Sequence, residues 1–130
     1  MGNILLRGLI ETKKGEARAI EREISKLKRE REELNRAYEK VKTHNETFSD
    51  TLNEYKGITI ASSHWKGQTK TKSDEHLENL TTSADDAKTK IEEARDALKS
   101  DVSKKDDEIS DAESRLSTTN SVISGLEALL

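Results

Sequence analysis

The residues best suited to acid–base or metal chemistry are the three histidines, His44, His64 and His76, and the acidic pairs Asp85-Asp86 and Asp106-Asp107. A metal centre needs several ligands at a fixed spacing, and no cysteine or acidic set stands around the histidines in that way. No glycine-rich phosphate loop, nucleophile elbow or paired-carboxylate motif is present. The acidic pairs read as solvated helix faces. The basic run Lys26 to Arg31 is crowded by Glu30, Glu32 and Glu33, and the chain is net acidic at −3. That combination argues against nucleic acid as a partner. The expectation is a chain that is not an enzyme and takes neither metal nor cofactor.

Composition says what kind of scaffold remains. Apolar residues make up 31% of the 130 positions and charged ones 38%. Ordinary domains reach about 45–50% apolar, glycine included. So polar a chain invites disorder, but its 23 basic and 26 acidic side chains nearly cancel and are interspersed. Such mixing favours solvated helix faces. Proline is absent, which permits long helices, since proline removes a backbone donor and clashes with the preceding turn. Without cysteine there is no disulfide framework, and the redox compartment is left open. The opening MGNILLRGLI is short and weakly basic for a secretory signal. Leu6 stands where a myristoylation pattern requires Ser or Thr. No stretch approaches the ~18 apolar residues of a membrane span, so no stable membrane insertion is expected.

Spacing then defines two arms. In the first, Leu6, Ile10, Ala17, Ile20, Ile24, Leu27, Leu34, Tyr38, Val41, Phe48, Leu52 and Tyr55, with Lys13, Arg31 and Asn45 in the gaps, alternate steps of three and four. That is the seam of a coiled coil or helical hairpin. Gly8 and Gly15 weaken the first turns, so regular helix is expected chiefly from about Glu16. In the second arm Leu77, Leu80, Ala84, Ala87, Ile91, Ala94 and Leu98 keep the spacing, and Ala112, Leu116, Thr119, Ile123, Leu126 and Leu130 resume it. Between them, through Val102 and Lys105 to Ile109, the register is expected to shift by a four-residue stutter that unwinds the supercoil.

Gly57, the β-branched run Ile58-Thr59-Ile60, Ser62, Ser63 and Gly67 separate the arms with loop chemistry. The fold expected is all-α, a single domain over 1–130. It is a long antiparallel two-helix hairpin, coiled-coil-like, with helix 1 about 6–55, a loop about 56–73 and helix 2 about 74–130. Ser73 or Asp74 would cap the second helix. Residues 1–56 hold 13 basic and 11 acidic side chains and residues 68–130 hold 9 and 15, so the arms are mildly opposite in charge.

In the loop stand Trp65, Lys66 and Gly67, which include the one tryptophan of the chain. Two long helices joined by this Trp-Lys-Gly turn resemble the WXG-type hairpins of type VII secretion. Length, charge and long arms resemble more closely the YwqH-like helical proteins found beside LXG toxins in Gram-positive bacteria. The resemblance spans essentially the whole chain and has one three-residue motif. It implies a non-enzymatic adaptor or chaperone-like partner that binds the helical targeting domain of an LXG-type toxin and promotes its export. A second small helical partner is compatible with that role. Localisation would be cytoplasmic, or exported with the partner through the type VII system. One feature departs from the wider pattern. Many secreted members carry Tyr-x-x-x-acidic after the second helix, whereas Tyr38 is followed four residues later by Lys42 and Tyr55 by Thr59, and the second arm has no tyrosine.

Trp65 then has two readings: a cap on the seam near Tyr55 and Leu52, or a recognition group at the turn. The other candidate surface lies at the chain ends. Leu5, Leu6, Leu9 and Ile10 on one side and Val122, Ile123, Leu126 and Leu129 on the other, with Ile4 and Leu130, exceed what one seam can cover. Leu5, Leu9, Val122 and Leu129 fall off the stripes, so an exposed patch for partner binding is expected. The alternative function is a self-associating structural coiled coil, a homodimer with no secretion role.

Overall fold

The computed structural model describes residues 2–57 and 67–130, with side chains described from residue 71 onward in the second stretch. It is an all-α helical hairpin: α1, Gly2–Lys56, packs against α2, Gly67–Glu127, and no strand occurs among the described residues. α1 begins well before Glu16. A β-carbon at Gly8 or Gly15 would meet nothing within 4 Å, so these glycines cost only their backbone entropy, about 1 kcal/mol each against alanine. Flanking leucines and isoleucines carry the helix through them. At the other end of α1 the Gly57 amide donates to the carbonyls of Asn53 and Glu54 at 3.2 and 3.1 Å.

α2 starts at Gly67, earlier than the expected 74. Ser73 and Asp74 therefore lie inside the helix and do not cap it. Residues 67–73 contain no proline, and serine and threonine cost only tenths of a kcal/mol each in a helix interior. Nothing local stops the helix there. At its far end the Leu129 and Leu130 amides bond to the Leu126 and Glu127 carbonyls, the tighter last turn that commonly closes a helix.

Two compact units divide the hairpin: unit 1, Met1–Asn35 with Ser100–Leu130, and unit 2, Arg36–Lys99. In unit 1 the buried apolar residues are Ile10, Ala17, Ile24 and Leu27 on α1 and Val102, Ala112 and Ile123 on α2. Ile24, Leu27 and Ala112 form the core cluster, with Ile20, Ile109 and Leu116 packed against it. Ala112 is fully covered, and its small side chain lets the two backbones approach closely.

Ion pairs line this seam. Lys14 pairs with Glu127 at 3.6 Å, Glu23 with Arg115 at 2.8 Å, Lys28 with Glu113 at 3.8 Å, Glu30 with Lys105 at 2.7 Å and Arg31 with Asp106 at 3.0 Å. From Lys14 to Glu30 the partners on α2 descend from Glu127 to Lys105 as α1 ascends, which is the antiparallel register. Each exposed pair is worth little alone; together they disfavour a slipped alignment.

Unit 2 is covered less well. Leu52 is its one buried apolar side chain among the described residues, and Asn45 is buried too. Tyr38, Val41, Phe48 and Tyr55 of α1 and Leu77, Ala84, Ile91 and Leu98 of α2 are half-buried. All fifteen expected seam positions of α1, across both units, are buried or half-buried. On α2 the register differs from the expected one. Leu80, Ala87 and Ala94 are exposed, and Thr81, Lys88 and Arg95 are half-buried in their place. The sequence Leu77, Thr81, Ala84, Lys88, Ile91, Arg95, Leu98, Val102, Lys105, Ile109 and Ala112 then alternates fours and threes without interruption. There is no stutter. The large apolar residues Val102, Ile109, Leu116 and Ile123 fix the phase of one continuous helix. Lys88 and Arg95 can lay aliphatic stems along the seam and send their charges outward.

Candidate interaction surfaces

An apolar groove in unit 1 is built from the first turns of α1 and the turn that follows α2. Gly2, Asn3, Leu5, Leu6, Leu9 and Leu129 line it. Helical spacing puts Leu5 and Leu9 on one face of α1, outside the seam. Leu5 is 77% exposed, Ile4 75% and Leu129 70%; Leu9, Val122 and Leu130 are exposed as well. Leu6 and Leu126 are half-buried seam residues. Ile10 and Ile123 are buried within the core, so their role is to hold the helices together beneath the patch and not to meet a partner.

The surrounding sequence is almost uncharged. Residues 1–10 and 117–130 contain Arg7 and Glu127 as their only charged side chains. Glu127 is engaged by Lys14. In a chain so rich in charge, this is the place where solvation by ionic groups gives way to Leu, Ile, Ser and Thr.

Of the Trp-Lys-Gly motif, Trp65 and Lys66 lie outside the described residues, and so does any packing of Trp65 near Tyr55 and Leu52. Gly67 is the first residue of α2. Leu52 is buried and Tyr55 half-buried. His44 and His76 are exposed, His64 lies outside the described residues, and no three potential metal ligands cluster among the described residues. No described helix is long and apolar enough to cross a membrane.

Asn45, by spacing a polar residue in a gap of the α1 seam, is buried in the structure. It is 6% exposed, and its Oδ1 is buried with no hydrogen-bond partner. The signal was available: a short amide at a core position of a heptad cannot reach solvent as Lys13 and Arg31 can. Those two extend to Glu16 and Asp106.

Electrostatic shifts fall between the helices of unit 1. The Lys105 hydrogen bond holds the Glu30 carboxyl below its ordinary value. Glu30, then Glu108, raises the Lys105 ammonium, and the hydrogen bond to Asp106 raises Arg31. These groups brace α1 against α2.

No known protein family, curated protein or solved structure matches the chain.

Proposed function

We propose that this chain is a non-enzymatic helical adaptor that binds the helical targeting domain of an LXG-type toxin and promotes its passage through a type VII secretion system. The observation that carries the reading is the exposed apolar groove of Leu5, Leu9 and Leu129. Contiguous apolar surface of this kind marks interaction sites. A helical partner suits it, because an amphipathic helix reads a groove through residues at i, i+3, i+4 and i+7. The hairpin architecture and the Trp65-Lys66-Gly67 sequence support the choice of partner.

The test is capture of a neighbour-encoded LXG toxin domain by the purified full chain. Leu5→Glu with Leu9→Glu places two carboxylates in the groove. Capture is expected to fall at least tenfold while helical content holds. Undiminished capture by the double variant removes the groove as the docking site, and no capture by the unaltered chain removes the adaptor reading.

A further inference from the structure

Heptad steps along each helix trace one flank of the seam. On α1 they run from Glu23 through Glu30 to Ala37, His44 and Thr51; on α2 they run back from Arg115 through Glu108 and Asp101 to Ala94, Ala87 and Leu80. In unit 1 this flank is charged, and Glu23 pairs across it with Arg115 at 2.8 Å. In unit 2 the residues Ala37, His44, Thr51, Leu80, Ala87 and Ala94 include no Asp, Glu, Lys or Arg. The opposite flank of unit 2 keeps an ion pair, Lys56 with Asp85 at 2.8 Å. On α2 the uncharged flank is also open. Leu80 is 54% exposed, and Ala87 and Ala94 are exposed beside the half-buried Ala84, Ile91 and Leu98. The apolar face of α2 is wider here than α1 covers, and uncovered apolar surface marks a contact.

We infer that this exposed flank of α2 in unit 2 is a self-association surface, on which α2 of a second copy packs antiparallel about a two-fold axis passing beside Ala87. In such an isologous contact the same patch serves both copies. Each residue a given number of steps after Ala87 faces the residue the same number of steps before it in the other chain. Leu80 then faces Ala94, and Ala94 faces Leu80. A large side chain meets a small one on both sides of the axis, the alternation that lets helix faces interdigitate. Ala87 meets its own copy, and its small side chain lets the two helices approach closely.

Charge complementarity joins this match of sizes in favouring a second copy over an unrelated helix. Asp86 and Lys90 border the apolar flank on its outer side, are exposed and form no ion pair with any described residue. Antiparallel helices set like flanks against each other. Lys90 of one copy then stands two residues, about 3 Å along the axis, from the level of Asp86 of the other. One lysine–carboxylate pair closes each side of the contact. A parallel pair would instead set Leu80 on Leu80 and Lys90 on Lys90. The surface is separate from the Leu5–Leu9 groove of unit 1, and the inference does not rest on the adaptor reading.

Sedimentation velocity of the full chain over a concentration series tests this. The unaltered chain is expected to dimerise. Ala87→Glu and Ala87→Lys are each expected to weaken the dimer at least tenfold, because like charges then meet at the axis. Their equimolar mixture is expected to recover it, because opposite charges meet there. Ala87 is exposed and both replacements are good helix formers, so circular dichroism should find the helix content of each variant retained. Leu5→Glu with Leu9→Glu is expected to leave the dimer unchanged. A chain that stays monomeric overturns the inference and leaves the flank to a helix of another protein. So does a mixture no tighter than its components, or a dimer lost only on changing Leu5 and Leu9.

Discussion

The Lys105 ammonium lies 2.7 Å from the Glu30 carboxylate, joining α2 to α1 beside the best-packed part of the hairpin. Each partner shifts the other: Glu30 is held below the usual carboxylate range and Lys105 above the usual ammonium range. Glu30, with its depressed value, stabilises the fold above the pKa it has when unfolded, and that contribution disappears as pH falls through the folded value. Lys105, with its raised value, stabilises below its unfolded pKa and loses the effect as pH rises through the folded one. Glu30→Gln should therefore lower the melting temperature at neutral pH and converge with the unaltered chain in acid. Melting curves across pH check this. A difference that stays constant into acid would mean that Glu30 acts through packing alone.

Gly8 and Gly125 lie inside long helices with open space where a β-carbon would go. Gly8→Ala and Gly125→Ala should each stabilise by about 0.5–1 kcal/mol, chiefly by restricting the unfolded chain. Gly57→Ala should not, because its β-carbon would stand 3.3 Å from the Glu54 carbonyl oxygen. Equal gains at all three positions, read from chemical denaturation, would contradict this account.

Among the described residues, unit 1 contains seven of the eight buried apolar side chains, and unit 2 contains Leu52 and Asn45, whose Oδ1 has no hydrogen-bond partner. Regions with few buried apolar contacts open at lower free energy. Backbone amides around Ile24 and Ala112 should exchange with deuterium more slowly than those around Val41 and Ile91. Ile24→Ala should cost about 2–4 kcal/mol, within the range for buried aliphatic truncation, and the half-buried Ile91→Ala on the order of 1 kcal/mol. Uniform exchange along both helices would show that the hairpin melts as one body.

The α1 seam was fully legible in the sequence, because its core positions carry Leu, Ile and aromatic residues at a spacing that fits one phase only. The α2 seam was not. Leu77, Ala84, Ile91 and Leu98 belong to two possible stripes, and apolar Leu80, Ala87 and Ala94 outscored Thr81, Lys88 and Arg95. The structure selects the polar set, since a helix already phased by Val102, Ile109 and Leu116 cannot rotate locally without unwinding. Apolarity alone does not separate Ile10 and Ile123, which are core, from Leu5 and Leu129, which are surface, but heptad spacing does: the first two fall on the seams and the last two off them. Residues adjacent in sequence can look alike in hydropathy and face opposite sides of a helix. The early start of α2 was hidden for a related reason: Thr and Ser in 69–73 suggest a loop only where no neighbouring turn pulls them into a helix.

The unbroken alternation of fours and threes on both helices has a consequence for how this chain can change in length. Its quantum is seven residues, and it must be spent twice. Deleting residues 17–23 alone preserves the stripe of α1 and leaves Lys28, Glu30 and Arg31 opposite Glu113, Lys105 and Asp106, because the chain joining them is intact, but it slides Lys14 past Glu127. Deleting a further seven from α2 around Arg115, which faces Glu23, realigns every pair beyond the cut. Thermal melting should find the matched double deletion more stable than either single one, although it lacks more of the core. Relatives of this chain, if they vary in size, are expected to do so by paired heptads, two turns from each helix at the same level.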